Sequence, residues 1–386
     1  MPKNCWGETL HASIYGSKLW HNICSDRSDL GVHKTMRGNQ NSIITICIPT
    51  FNRGSLLLKN LEEIMPELTK DWPLLIVDNG STTNKSSYKQ IEKIANQNPL
   101  IKYVRQPWNK EFIGNIITAI ELVDTNFIFF LADEDLPNFD FLKNQYESLK
   151  CNPNLGAIRT STMSVDEKSV ENLGGTFDDE TLDPGLDAVV NFAMKGNYLS
   201  GQIFNAELIK SSGILEALKT NKLSQVYYPH MYLNMKLAAK FKTKFSSEIS
   251  AIIGPPCEDI NDGSFNSVNG YFGSYSYGNR IDQFVASRDA LLECVEDING
   301  EIDVSDLYLA YLSIFHKYMQ MILLSNGVQY VEHGINIKLL ARTFSQFALS
   351  AANSFPLFHQ VKDELSNSIM DIEEAFLSKA RELYLV

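Results

Sequence analysis

A chain of 386 residues, 44% hydrophobic and 21% charged, carries enough apolar material for a sizeable core, so disorder is not its default state. Its 46 acidic against 34 basic side chains leave a formal net charge of −12, which argues against a nucleic-acid partner, since phosphate backbones need a clustered basic surface. The six cysteines (Cys5, Cys24, Cys47, Cys151, Cys257 and Cys294) lack a Cys-x-x-Cys pair and zinc-spaced histidines, which excludes a zinc ribbon and points to a reducing compartment.

Residues 1–41 are mixed and polar and lack the charged-then-apolar pattern of a signal peptide. No stretch reaches the roughly 18 uncharged apolar residues of a transmembrane helix, and Leu307–Leu324 is interrupted by His316, Lys317 and Gln320. A cytoplasmic protein is expected, with peripheral contact on the inner face of the cell membrane left open.

From Ser42 the pattern changes. Ile43–Ile48 is a β-rich apolar run ended by Pro49, and Leu74–Val77 is a second, ended by Asp78. Ile101–Val104 is a third and Phe127–Leu131 a fourth, followed by Asp133. Uninterrupted apolar runs of this length suit strands buried on both faces of a sheet. Helical spacing lies between them: Leu56, Leu57, Leu61 and Ile64, then Tyr88, Ile91 and Ile94, then Ile113, Ile116, Ile117 and Ile120. Strands alternating with helices predict an α/β protein with a mostly parallel sheet and right-handed crossovers. In such sheets ligands bind beyond the carboxyl ends of the strands. The chain's polar residues fall there: Thr50, Asn52 and Arg53, then Asp78 and Asn79, then Asp133, Glu134 and Asp135.

A second segment, from about Gly156 to Pro256, is predicted to hold a strand at Leu199–Phe204 and an amphipathic helix starting near Tyr228–Pro229. Gly263–Gly278 is rich in Gly, Ser and Tyr and reads as a loop. Beyond Asn279 the pattern is mostly helical, with Leu307, Tyr311, Ile314, Phe315, Tyr318 and Ile322 spaced as a core-facing stripe. The expected division is an extension at 1–41, an α/β domain at 42–278 with halves at about 42–150 and 151–278, and a helical region at 279–386.

The chemistry concentrates on Asp133-Glu134-Asp135. Such a triplet in isolation reads as a helix cap with solvated neighbours, but three acids leaving a wholly apolar strand repel one another unless a cation joins them. A divalent ion bridging phosphate oxygens is the natural partner. Asp78-Asn79-Gly80-Ser81 alone is a structural turn, and Ile48-Pro49-Thr50-Phe51-Asn52-Arg53 alone a strand exit. Arg53, or Lys110 ahead of the third helix, has the charge to balance a diphosphate, against the ordinary reading of each as a solvated cation.

Taken in order, Ile46–Arg53, Ile76–Ser81, Asn109–Asn115 and Leu131–Pro137 resemble glycosyltransferase family two, the GT-A fold, and within it bacterial surface-polysaccharide enzymes of the abequosyltransferase-like group. The resemblance is good over about 42–160, weaker to about 255, and absent at both ends. It implies a nucleotide pocket of Pro49, Thr50, Phe51, Arg53 and Asp78, joined by Asn79 and Lys110. It also implies a Mn2+ or Mg2+ ion held mainly by Asp135, with Asp133 nearer the ribose or donor sugar. The implied activity is an inverting, metal-dependent transfer from a nucleotide-diphosphate sugar to a hydroxyl of a glycan or lipid-linked acceptor, in O-antigen or capsule synthesis. Such a reaction needs a base. Similar enzymes use a carboxylate at a helix start, where this chain has Tyr227-Tyr228-Pro229-His230; His230 and Asp259 are the two candidates. A helix cap is the plainer role for His230, and a solvated loop acid for Asp259.

Three other classes fit the residues less well. A nucleotidyltransferase needs a glycine-rich loop after the first strand, which Pro49–Arg53 is not. A dehydrogenase needs Gly-x-Gly-x-x-Gly after a strand, and none follows any. A non-catalytic nucleotide- or sugar-binding subunit is the alternative, opposed by the intact acidic triplet.

Overall fold

The structure is a computed structural model that describes residues 43–165, 170–171, 177–195, 198–221, 228–254, 276–298, 300–332, 334–355 and 358–384. The extension at 1–41, Asp259 and nearly all of the loop at 263–278 lie outside these residues.

Strands β1 (Ile44–Thr50), β2 (Leu74–Asp78), β3 (Ile101–Arg105) and β4 (Phe127–Phe130) form the parallel part of one sheet in the order β3-β2-β1-β4. Further along are β5 (Leu136–Pro137), β6 (Ala157–Val165), β7 (Val170–Glu171), β8 (Glu180–Leu182), β9 (Ile203–Asn205) and β10 (Thr243–Ile253). They continue the sheet as β4-β9-β6-β10-β5, with β9 antiparallel to both of its neighbours and β10 parallel to β6. The helices of the sheet half are α1 (Gly54–Ile64), α2 (Lys85–Gln97), α3 (Glu111–Leu122), α4 (Phe139–Cys151), α5 (Leu186–Asn191), α6 (Ala206–Ser211), α7 (Ile214–Thr220) and α8 (Pro229–Lys240). The C-terminal helices are α9 (Tyr277–Asp297), α10 (Val304–Gln320), α11 (Gly327–Glu332), α12 (Ile337–Ala352) and α13 (Lys362–Tyr384).

The apolar runs work as two-faced strands because successive side chains enter different cores. Ile44, Ile46, Ile48, Leu74, Ile76, Phe127 and Phe129 pack with α1, α2 and α4 residues such as Leu57, Ile91 and Phe141. Cys47, Leu75, Val77, Ile128 and Phe130 join the opposite core with Ile116 of α3 and Met235 of α8. That second core runs without a break into Phe284, Tyr311, Phe315 and Phe344 of α9, α10 and α12. The stripe expected on α10 is therefore core, as its spacing predicts. Among the described residues no helix is long and apolar enough to cross a membrane.

Three local expectations are corrected. β1 runs through Pro49 to Thr50: Ile46 N–H donates toward β2, so Pro49, three residues on, turns its missing donor toward β4, whose ladder with β1 ends at Cys47–Phe130. The strand expected at Leu199–Phe204 is reduced to Ile203–Asn205, because Gly201, at φ 85°, turns the chain where a side chain would meet Ser250. The helix at Tyr228–Pro229 starts with Pro229 in its first turn but is not amphipathic; eleven of its twelve residues are buried between the sheet and the C-terminal helices.

Candidate functional site

The parallel strands end on one edge, and their exits meet. Thr50, the last residue of β1, donates its hydroxyl to Asp133 Oδ2 at 2.8 Å, and Arg53 Nη1 lies 3.2 Å from Asp133 Oδ1 and 2.9 Å from Glu134 Oε2. Asn60 of α1 donates to the Asp133 carbonyl at 3.0 Å, and the Tyr88 hydroxyl of α2 sits 2.9 Å from Thr50 Oγ1. Arg53 and Asp133, separated by 80 residues of chain, thus form one contact set with Thr50. Pro49 and Phe51, half-buried, flank Thr50 in the same segment. Burial raises the Asp133 pKa and neighbouring Glu134 adds to it, while Arg53 pulls the other way.

Asp135 has a different environment. It is fully buried, and its carboxylate accepts from the Tyr198 hydroxyl at 2.7 Å and the Gly254 backbone N–H at 2.9 Å. Burial pushes its carboxyl up to about 6 and the Glu134 charge adds to this, while Ser200, Tyr198 and Gly254 oppose it. Among the described residues none of its hydrogen-bond partners is cationic. β5 holds the segment by pairing with β10, and Gly254, at the end of β10, approaches so closely that a side chain there would collide with the Glu134 carbonyl. Gln202 donates to the Tyr198 carbonyl and Asn234 of α8 donates to Gln202 Oε1 at 2.7 Å, so a hydrogen-bonded chain runs from α8 to Asp135.

At the β2 exit Asp78 is also fully buried. Its Oδ1 accepts from Ser81 N–H at 2.9 Å and its Oδ2 from the Tyr103 hydroxyl at 2.8 Å, with Arg105 Nε 3.6 Å away. Asn79, expected against the nucleotide, pins the loop before α3. Its amide donates to Asn109 Oδ1 and the Glu111 carbonyl, and its oxygen accepts from Lys110 N–H and Gln106. Those four bonds use both donors and both lone pairs of the side-chain amide. Lys110 lies on that loop with an exposed side chain. Asn52, left-handed at φ 61°, links the two exits: its N–H donates to Ser81 Oγ, and its side-chain oxygen accepts from Thr82 and Thr83 N–H.

His230 is buried in the first turn of α8. Its ring meets Phe112 of α3 edge-on, 6.5 Å between centroids, and Tyr228 at 5.9 Å. The structure thus sets His230 beside the Lys110–Phe112 loop. Asp259 lies outside the described residues. Tyr88, Tyr103, Tyr198 and Ser200 are site residues that sequence reasoning missed.

The acidic triplet fits a divalent cation. A buried carboxylate whose hydrogen-bond partners among the described residues are all neutral is the group that gains most from one. Among the described residues no three His, Cys, Asp or Glu side chains converge as a complete cage. A hard cation completed by phosphate oxygens and water needs only one or two protein carboxylates.

The comparisons with known proteins agree with this geometry. Residues 45–197 match the family model described as "Glycosyl transferase family 2", so the chain carries a family-two glycosyltransferase domain with the GT-A fold. That match supports a glycosyltransferase activity. Solved structures of S. aureus TarS residues 1–349 share the fold. One without a named ligand matches at 12% identity with TM-score 0.52, and one in complex with UDP-GlcNAc at 13% with TM-score 0.54; each covers 87% of this chain and 92% of that chain. A TarS complex with UDP matches at 14% identity with TM-score 0.52 over the same shares. No curated protein matches the chain.

Proposed function

We propose that this protein is an inverting, metal-dependent glycosyltransferase that passes a sugar from a nucleotide-diphosphate donor to a hydroxyl of a glycan or lipid-linked acceptor. Its setting would be bacterial surface-polysaccharide assembly, in the cytoplasm or on the inner face of the membrane. The observation that carries the reading is Asp135: a fully buried carboxylate at the ligand edge of the sheet, two residues from an aspartate that already has its arginine. The TarS structures with UDP and UDP-GlcNAc support a nucleotide-sugar donor on this fold.

In this reading Thr50, Phe51 and Arg53 hold the nucleotide and diphosphate, with Pro49 and the Asp78 turn shaping the floor and Lys110 adding charge at the rim. Asp135, and Asp133 beside it, would hold Mn2+ or Mg2+, whose charge offsets that building on the leaving diphosphate. The acceptor oxygen attacks the anomeric carbon from the face opposite the diphosphate, the bond from that carbon to the diphosphate oxygen breaks, and configuration inverts. The acceptor proton passes to His230, whose imidazole offers a nitrogen lone pair for it. Tyr228 and Phe112 fix the orientation of its ring.

The test is a thermal-shift and donor-hydrolysis panel over UDP-, GDP-, TDP- and CDP-sugars with manganese or with chelator. A shift that belongs to one nucleotide, needs metal and vanishes in Asp135→Ala is the expected result. No shift with any nucleotide would overturn the donor site. His230→Gln should lower kcat for transfer by about 10²–10⁴-fold with donor KM held; an unchanged kcat would move the base elsewhere, Asp259 first.

A further inference from the structure

Among the described residues of the sheet half, large apolar side chains stand exposed on one segment alone. Trp108 is 65% and Phe112 40% exposed, and the remaining large exposed apolar residues, Leu309, Leu339, Met370 and Leu383, are all on C-terminal helices. The segment is held rigidly. Its backbone at Trp108 and Asn109 lies on Gly80 so closely that a Cβ there would come within 2.6 Å, and Asn79 bonds Asn109, Lys110 and Glu111 in turn.

Between the two aromatics, Glu111 has φ 62°. That backbone geometry suits glycine and is strained for a glutamate. Its N–H donates to Asn109 Oδ1 and its carbonyl accepts from Asn79, bonds a glycine would make equally, while the exposed side chain puts a carboxylate in the first turn of α3, where the helix dipole favours it. The carboxylate thus stands exposed between two exposed aromatics, on a segment that Asn79 holds in place. Two exposed aromatic faces with a carboxylate between them match a pyranose ring, whose C–H face packs on an aromatic and whose hydroxyls donate to a carboxylate. The same Phe112 ring touches His230.

We propose that Trp108, Glu111 and Phe112 form the platform for a pyranose ring of the saccharide acceptor. This assignment rests on the glycosyltransferase reading above and adds to it the residues that recognise the acceptor. A ring held on Phe112 lies beside His230, so the platform brings a hydroxyl to the base.

Saccharide binding is measured without nucleotide, as the change in Trp108 emission, taken from the difference between wild type and Trp108→Phe. The probes are methyl glycosides of glucose, galactose, mannose, rhamnose and N-acetylglucosamine, with glycerol as a control lacking the ring. The expected result is a saturable change with at least one glycoside and none with glycerol, and a Kd at least about fivefold weaker in Phe112→Ala and in Glu111→Gly. Glu111→Gly should keep or raise Tm, since glycine relieves the backbone, a combination that a purely structural role does not produce. No saturable change with any glycoside, or a Kd untouched by both substitutions, overturns the platform. The nucleotide thermal shift is read on the same samples. If it is present while the saccharide response is missing, the platform fails and the donor reading stands; if it is missing while the response persists, the donor reading fails and the platform stands.

Discussion

The ligand edge of the sheet and the seam between the sheet and the C-terminal helices both bury charge, and they settle it in opposite ways. At the seam each charge is met within the protein, as where Lys236 and Lys240 of α8 pair with Asp297 of α9. Arg159 of β6 donates to the carbonyls of Phe192 and Ala193, and Lys317 of α10 donates to the next carbonyl, Met194, at 2.7 Å. Two cations thus hold three successive carbonyls of the turn that follows α5. Arg280 is bonded to Asn326, Tyr228 and Gln283. At the ligand edge the charges are carboxylates. Asp133 has Arg53, but Asp135 has only neutral donors, among them the Tyr198 hydroxyl and the Gly254 N–H. The seam answers its charges within the protein, whereas the edge leaves one that the proposed ligand would answer.

The largest effect that tests this contrast belongs to Asp135→Asn. Transfer should fall on the order of 10³-fold, because charge stabilisation at the leaving group goes with the carboxylate. The metal-free protein should become more stable at pH 7, by roughly 1–3 kcal/mol. The folded carboxyl titrates near 6 against an ordinary 3.8, so its burial costs nothing below about pH 4 and its full amount above about pH 6. Chemical denaturation across that window, with chelator, should show the wild type losing stability as pH rises while the variant does not. A variant that is both inactive and less stable would mean that Asp135 is structural.

Arg53→Met tests the neighbouring aspartate. It leaves Asp133 and Glu134 side by side without a cation, and a loss of roughly 1–3 kcal/mol is expected from urea unfolding. Partial exposure of Arg53 keeps this below the cost of breaking a fully buried pair. Added Mn2+ should recover part of the loss at this site and none of it in an Asp135→Asn background. An effect of equal size with and without metal would break the contrast between the two aspartates.

The edge was legible in the sequence and the seam was not, for one physical reason. β1, β2 and β4 are continuous apolar runs, and each gives way to polar residues because the sheet ends there. β6 and β10 escaped notice because Thr160, Ser161, Thr162, Ser246 and Ser250 are buried polar residues that mask any apolar rhythm. They are tolerated inside because they answer one another: Thr160 bonds Ser250 and donates to the Gly201 carbonyl. Within the site, the strand-exit residues announce themselves by position. Tyr198 and Tyr88 do not, since their partners are 63 and 38 residues away and no local spacing marks such pairs.

The smallest effect comes from the seam. Burial, with Arg159 and Arg280 close by, lowers the Lys317 pKa from its ordinary 10.5 to about 7. Between those values the unfolded chain carries a proton that the folded chain does not, so Lys317 makes stability rise with pH, by at most about 1.4 kcal/mol per unit. Below about pH 7 both states are charged and the slope disappears. Lys317→Met removes the titrating group and should flatten the stability profile between about pH 7.5 and 9, with nucleotide-induced shifts unchanged because the seam holds no part of the donor pocket. A profile as steep as the wild type would mean that the Met194 carbonyl alone satisfies the ammonium. The seam would then be as neutral as the carbonyls it caps, and the contrast with the edge would rest on Asp135 alone.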